Sequence, residues 1–219
     1  MPRLLFEKTK NAVWISHLDL MRLFQRAFKR AGLPLTHSGG FTPRPQVSIA
    51  LPLSVGVESQ CELLDFDLDG EMPAADAIRD RLNAALVSGV RVLEVYDQCR
   101  KIRDLALLQC RITLEYDNSI PAGTADAISA LFKRDTLTVE KRGKNGPVEQ
   151  DIIPMIRKLN VCVQDEHTLS IDALICCQNP ALNPAQLCAA IEKELPQYRP
   201  DFARIRRLEV FDTNESIFR

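Results

Sequence analysis

The stretch CELLDFDLDG, residues 61–70, alternates without a break. Leu64, Phe66 and Leu68 fall on one side and Asp65, Asp67 and Asp69 on the other, the period of a strand with one apolar and one polar face. Such strands belong to antiparallel sheets covered on a single side. Strands of parallel sheets are covered on both sides and read as continuous apolar runs. The fold class that follows is α+β. The three aspartates step about 7 Å apart along the strand, too widely for one ion without further ligands.

The flanking elements fit that class. RLLFEKT reads as a strand. Ser16 starts a helix by capping the amide of Asp19, whose carboxylate sits in the positive first turn. The helix runs to about Ala31 and ends at GLP. QVSIAL is a strand, PAADAIRDRLNAAL a helix over residues 73–87 with Pro73 in its first turn, and VRVLEVYD a strand. The order is βαββαβ. Beyond QCRKIRD, residues 98–104, it repeats in pattern: the strand LALLQCRITLEY, the helix PAGTADAISALFKR, a hairpin of TLTVEKR and DIIPMIRKLNVCVQ around GKNGP, the strand TLSIDALICC, a helix capped by Asn183, and the strand RIRRLEVFD. Two tandem ferredoxin-like (βαββαβ) lobes with antiparallel sheets are expected, over residues 1–98 and 104–219, with both helices on one face of each sheet.

Composition narrows the class. The chain has 219 residues, 46% hydrophobic and 26% charged, with a net charge of −1. A nucleic-acid binder with that balance must gather its cations on one face. No apolar run is long enough for a membrane span and the N-terminus lacks a signal-peptide layout, so a cytoplasmic protein is expected. The seven cysteines include no C-x-x-C pair and sit in runs such as NVCV and ALICC, which reads as reduced, buried thiols.

The segment HSGGFTPRPQ, residues 37–46, is where chemistry concentrates. Gly39 and Gly40 permit positive φ, so that backbone amides turn inward on an anion. Pro43 and Pro45 hold Arg44 extended. Ser38 and Thr42 supply hydroxyls. Phe41 reads as an anchor that pins the loop to the core, with a stacking platform for a base as the alternative. The preceding helix carries Arg22, Arg26, Lys29 and Arg30 on one stripe at about 100° per residue, either a solvated face or an anion-binding ridge continuous with the loop. Glu58 and Ser59, after the turn at Gly56, and Lys141, Arg142 and Lys144 at a hairpin tip are possible supports. His17 and His37 are the candidates for acid–base catalysis; His167 lies in an exposed turn.

The pieces SHLDLMR and SGGFTPRPQ, with Gly56, Glu58, Ser59, Glu62 and Asp65 downstream, closely resemble a bacterial radical-SAM-associated family of unknown function. Its members stand beside, or are fused to, a radical SAM protein with a cobalamin-type domain. The resemblance covers residues 6–68 and implies a radical SAM protein as partner. This chain has no C-x-x-x-C-x-x-C cluster motif of its own. In architecture alone, tandem lobes with a glycine-rich loop also resemble CRISPR repeat-processing endonucleases.

Three functions follow. The first is a non-catalytic accessory module that binds RNA, not DNA, through Arg22, Arg26, Arg30, Ser38, Gly39, Gly40, Phe41, Thr42 and Arg44, and works with a radical SAM partner in RNA modification or processing. The second is a metal-independent RNA-processing nuclease using His17 or His37. The third is a domain that only docks the partner protein. No cofactor or metal is expected. Elemental analysis of the isolated chain should accordingly find no stoichiometric zinc or iron, and one equivalent of either would overturn the reading of the cysteines.

Overall fold

In a computed structural model of the chain, residues 1–97, 99–143 and 146–219 are described, with 141–143 described by backbone alone. They form a mixed α+β structure of antiparallel strand pairs with four α-helices among the described residues. The chain divides into two compact units, Met1–Asp104 with Ile217–Arg219, and Leu105–Ser216.

The first unit contains β1 (Arg3–Lys8), α1 (His17–Arg30), β2 (Val47–Ile49), β3 (Glu58–Phe66), α2 (Ala75–Ala85) and β4 (Val90–Tyr96). β1 pairs with β4 and β3, and β3 with β2, each antiparallel, in the order β4-β1-β3-β2. The alternation seen in the sequence holds: Leu64 and Phe66 are fully buried. They share one core with Leu4, Phe6, Phe24, Phe28, Ile78 and Leu82, which places both helices on the same side of the sheet. Phe6 and Phe24 meet edge to face with centroids 4.7 Å apart. α2 is shorter than expected because Pro73 lies before its first turn rather than in it.

The other side of this sheet is not open to solvent, as the aspartate row implied. Arg3 is buried and bonds Asp65 with both arms of its guanidinium, at 2.6 and 3.1 Å. Phe218, fully buried, lies 5.3 Å from the Arg3 guanidinium and 5.2 Å from that of Arg100. The amide of Arg100 donates to the Arg219 carbonyl at 3.1 Å. The C-terminal residues thus belong to the first unit, clasped by two cation–π contacts.

The second unit contains β5 (Leu107–Glu115), α3 (Thr124–Leu131), β6 (Thr138–Gly143), β7 (Gly146–Asp151), β8 (Ile156–Val163), β9 (Thr168–Cys176), α4 (Pro184–Glu194) and β10 (Phe202–Phe211). β5 pairs with β10 and β9, and β9 with β8, again antiparallel. The hairpin differs from expectation. β6 pairs with β7, and residues 151–164 are not one strand. A 3-10 turn at Ile153–Met155 contains Pro154, which has no amide for a ladder. Asp151 fixes the corner by accepting from the amides of Leu137 (2.9 Å) and Ile153 (3.2 Å). α4 starts with a capping box in which Asn183 accepts from Ala185 and Gln186 reaches back to the Asn183 amide.

All seven cysteines are unbridged. Burial pushes the thiols of Cys110, Cys177 and Cys188 up to about 12. Cys162, in NVCV, is exposed instead of buried, since it lies on β8, which pairs on one side only among the described residues. No helix among the described residues is long and apolar enough to cross a membrane.

Phe218→Ala should cost about 3–5 kcal/mol, seen as a lower urea midpoint. Ile217→Ala, at a 56% exposed position, should stay within about 0.5 kcal/mol. Equal midpoints for the wild type and Phe218→Ala would show that the ring does not hold the unit together.

Candidate nucleic-acid interface

α1 is anchored at its start. Ser16 accepts from the Asp19 amide at 3.2 Å and donates to its carboxylate at 2.8 Å. The Ser16 hydrogen bond, then that of Arg22, holds the Asp19 carboxyl below its usual range. Just upstream, Lys8 is fully buried and donates to the Ile15 carbonyl at 2.8 Å.

The basic stripe does not act as one surface. Arg22 pairs with Asp19 at 3.1 Å. Arg30 leaves the stripe and donates to the Ala85 carbonyl at the end of α2, at 2.5 Å. In return Arg81 of α2 donates to the carbonyls of Ala31 (2.9 Å) and Gly32 (2.7 Å), just past the end of α1. Each helix thus places an arginine on the negative end of the other. Gly32 has φ +64, and a Cβ there would lie 3.0 Å from Arg81 Nη2, so this exchange also calls for glycine. The side chains of Arg26 and Lys29 make no hydrogen bond or close ion pair among the described residues, though Arg26 helps to lower the Asp19 carboxyl through longer-range attraction.

Those two cations border a groove of about 540 Å³. Its accessible apolar surface comes from Pro34 and Pro45, over the buried Leu33 and Leu35, while Gln25 and His37 complete its walls. This surface continues into the glycine–proline loop. There His37 bridges Pro45, Ser38 N donates to Arg44 O at 2.9 Å, and Gln46 N to Thr36 O at 2.7 Å. The Arg44 amide also donates to the Ser38 hydroxyl at 3.0 Å. These bonds make a narrow neck closed by a turn in which Gly40 takes φ +111 with open space around it; Gly39 does not take a positive φ.

Phe41 corrects the sequence reading. It is 109% exposed at the tip, not anchored in the core. The backbone bonds of the neck already pin the loop, so no apolar anchor is needed. Thr42 and Arg44 are exposed beside it.

The other expected residues are placed apart. His37 lines the groove, but His17 is at the start of α1, about 12 Å of helix from Gln25, the groove residue nearest it in sequence, at 1.5 Å per residue. No hydrogen bond joins the two rings among the described residues. The Nδ1 of His17 is buried without a hydrogen-bond partner. His167 is exposed, as expected, and its Nδ1 donates to the carbonyls of Tyr116 and Asn118. Ser59 is fully buried on β3 and accepts from the Cys61 amide at 3.2 Å, which removes it from any ligand edge. Glu58 is half-buried on β3 and already engaged. Lys144 lies outside the described residues, as do the side chains of Lys141 and Arg142. Among the described residues no group of His, Cys, Asp or Glu is arranged to hold a metal.

Two features were not read from the sequence. One is the groove itself, which pairs Lys29 with Arg26 and detaches both from Arg30. The other is an exposed apolar group at the opposite end of α1: Trp14 (68%), Leu18 (67%) and Val55 (52%). The Trp14 ring lies close over Gly56, where a Cβ would be 3.7 Å away. No periodicity signals these residues, since Trp14 and Val55 lie outside the helix.

The chain belongs to the bacterial family described as "Uncharacterized protein conserved in bacteria (DUF2344)", which matches residues 2–184. No curated protein matches the sequence. Among solved structures it is similar to a chain of the "Crystal Structure of a Cbf5-Nop10-Gar1 Complex", with a TM-score of 0.54 and 9% identity. That likeness, one of fold, covers 95% of this chain and 48% of the other, so the chain spans about half the length of its match. An "Unknown Protein from Galdieria sulphuraria" aligns over 94% of this chain and 95% of its own, at 10% identity and a TM-score of 0.27, too slight to bear on the fold.

The arginine exchange separates two otherwise similar substitutions. Arg30→Ala should lower stability by about 1 kcal/mol through the lost cap, while Arg26→Ala should change it by less than about 0.5 kcal/mol. Thermal melts of the two variants test this, and equal losses would remove the distinction.

Proposed function

We propose that the chain is a non-catalytic accessory module of the cytoplasm, built from two ferredoxin-like lobes, that binds RNA through the end of α1 and the glycine–proline loop and presents it to a radical SAM partner. The strand order β4-β1-β3-β2, repeated by β10-β5-β9-β8, supports the lobes. The radical SAM partner rests on the resemblance of SHLDLMR and SGGFTPRPQ. The observation that carries the RNA reading is Phe41: a fully exposed aromatic ring on a backbone-pinned loop that also carries exposed Arg44 and whose neck borders the groove edged by Arg26 and Lys29. Exposed rings with adjacent cations stack on unpaired bases and attract phosphates.

The separation of His17 from His37 argues against the nuclease reading. The docking reading keeps one specific support, the exposed Trp14, Leu18 and Val55. The two readings combine if the partner covers that end of α1 and RNA the other.

Binding of a single-stranded RNA at two salt concentrations tests the proposal. Phe41→Ala and Arg44→Ala should each weaken it by about 1–3 kcal/mol at an unchanged melting temperature. Arg26→Ala should cost less and flatten the salt slope by about one unit. Gly40→Val should do as much harm as Arg44→Ala without removing a charge, because a β-branched residue resists φ +111. Unchanged affinity in Phe41→Ala and Arg44→Ala would assign the loop to protein docking.

A further inference from the structure

The groove beside the loop has a chemistry that the loop alone lacks. Its accessible apolar surface comes from Pro34 and Pro45 over the buried Leu33 and Leu35, while its border carries Arg26 and Lys29, whose side chains make no hydrogen bond or close ion pair among the described residues, Asp19 acting on Arg26 only at longer range. At about 540 Å³ the groove falls in the size range of small-molecule sites, roughly 300–1,000 Å³. A ligand matching both parts has a flat apolar body and an anionic group at one side of it.

We infer that this groove seats a single unpaired nucleotide, its base against Pro34 and Pro45 and its phosphate on Arg26 and Lys29. The assignment rests on the RNA reading above and makes it specific: the bound strand is unpaired at two points, one base on Phe41 and another in the groove. His37 lines the groove and bridges Pro45 at the loop's neck, so groove and loop tip share one rigid piece of backbone. Recognition then favours loops, bulges or ends over uninterrupted duplex, whose bases are stacked and whose edges side chains do not reach.

The experiment titrates the full chain with adenosine and uridine monophosphates, with the matching nucleosides and with inorganic phosphate, following groove amide signals by NMR. The monophosphates should bind more tightly than either the nucleoside or phosphate alone. Lys29→Glu should weaken them about tenfold, the equivalent of one lost charge-assisted bond. Gln25→Trp, which keeps both cations and fills the groove from the exposed helix side, should weaken them as much at an unchanged melting temperature. Monophosphates binding no better than phosphate would overturn the seating of the base. If RNA still binds through Phe41 and Arg44 but neither groove variant affects it, the inference falls and the proposed function stands. Monophosphate binding without any RNA affinity would overturn both. Displacement of the monophosphate by an oligoglutamate peptide as readily as by RNA would give the groove to an acidic protein segment.

Discussion

The exchange of arginines between α1 and α2 is the constraint on which the candidate interface depends. Both helices end on the same side of the first unit, each with carbonyls lacking an intrahelical donor. Placed side by side, two negative helix ends repel. Arg30 on Ala85, and Arg81 on Ala31 and Gly32, answer that repulsion with cations that are also hydrogen-bond donors. Because Arg81 holds the carbonyls past the last turn, α1 stops at a defined place, the chain turns through Gly32, and Leu33 is buried directly after it. The groove occupies the angle so formed. The same exchange sorts the basic stripe: Arg30 is structural, while Arg26 and Lys29, facing the groove, have no such task.

A second constraint closes the sheet face of the first unit to a ligand. Ligands of sheet-based nucleic-acid binders lie on the open sheet face with aromatic rings in the strands. In the first unit that face holds the bidentate Arg3–Asp65 pair under Phe218. A guanidinium at 2% exposure needs compensation for its lost hydration. Asp65 supplies most of it, and the face of the Phe218 ring supplies some of the rest, since Nη1 has no hydrogen-bond partner. With this side covered, the first unit's sheet face does not offer the open platform of such binders.

How far the sequence reveals this depends on the range of each interaction. The alternation of residues 61–70, the Ser16 cap and the Asn183 capping box are local, and each was legible because period and cap chemistry act within a few residues. The separation of β7 from β8 was missed although Pro154 marks it, because a continuous apolar pattern outweighed one breaker. Phe41 was read the wrong way for a different reason. An anchor seemed necessary, but the bonds from Ser38 to Arg44 and from Gln46 to Thr36 already hold the loop, and backbone pairing leaves no trace in composition. Arg30 and Arg81 bond carbonyls about fifty residues away, and Phe218 returns from the far end of the chain, so helical spacing and composition were silent about all three.

The position of Phe41 also constrains what the loop is for. A fully exposed phenylalanine contributes nothing to burial and raises the tendency to associate, so folding gives no reason for it. Nor does loop closure, since the turn closes on Gly40 and the neck on backbone bonds. The ring is nevertheless held at the end of a stiff support, between a glycine whose φ a β-branched residue resists and a proline two positions on that restricts the chain behind it. Stiffness there reduces the entropy lost when the ring is covered. A ring that is exposed, pre-positioned and flanked by Thr42 and Arg44 gains free energy only when something flat or apolar lies against it. On the proposed RNA reading that partner is anionic, a charge that exposed Arg44 on the same loop and Arg26 and Lys29 at the end of α1 would complement.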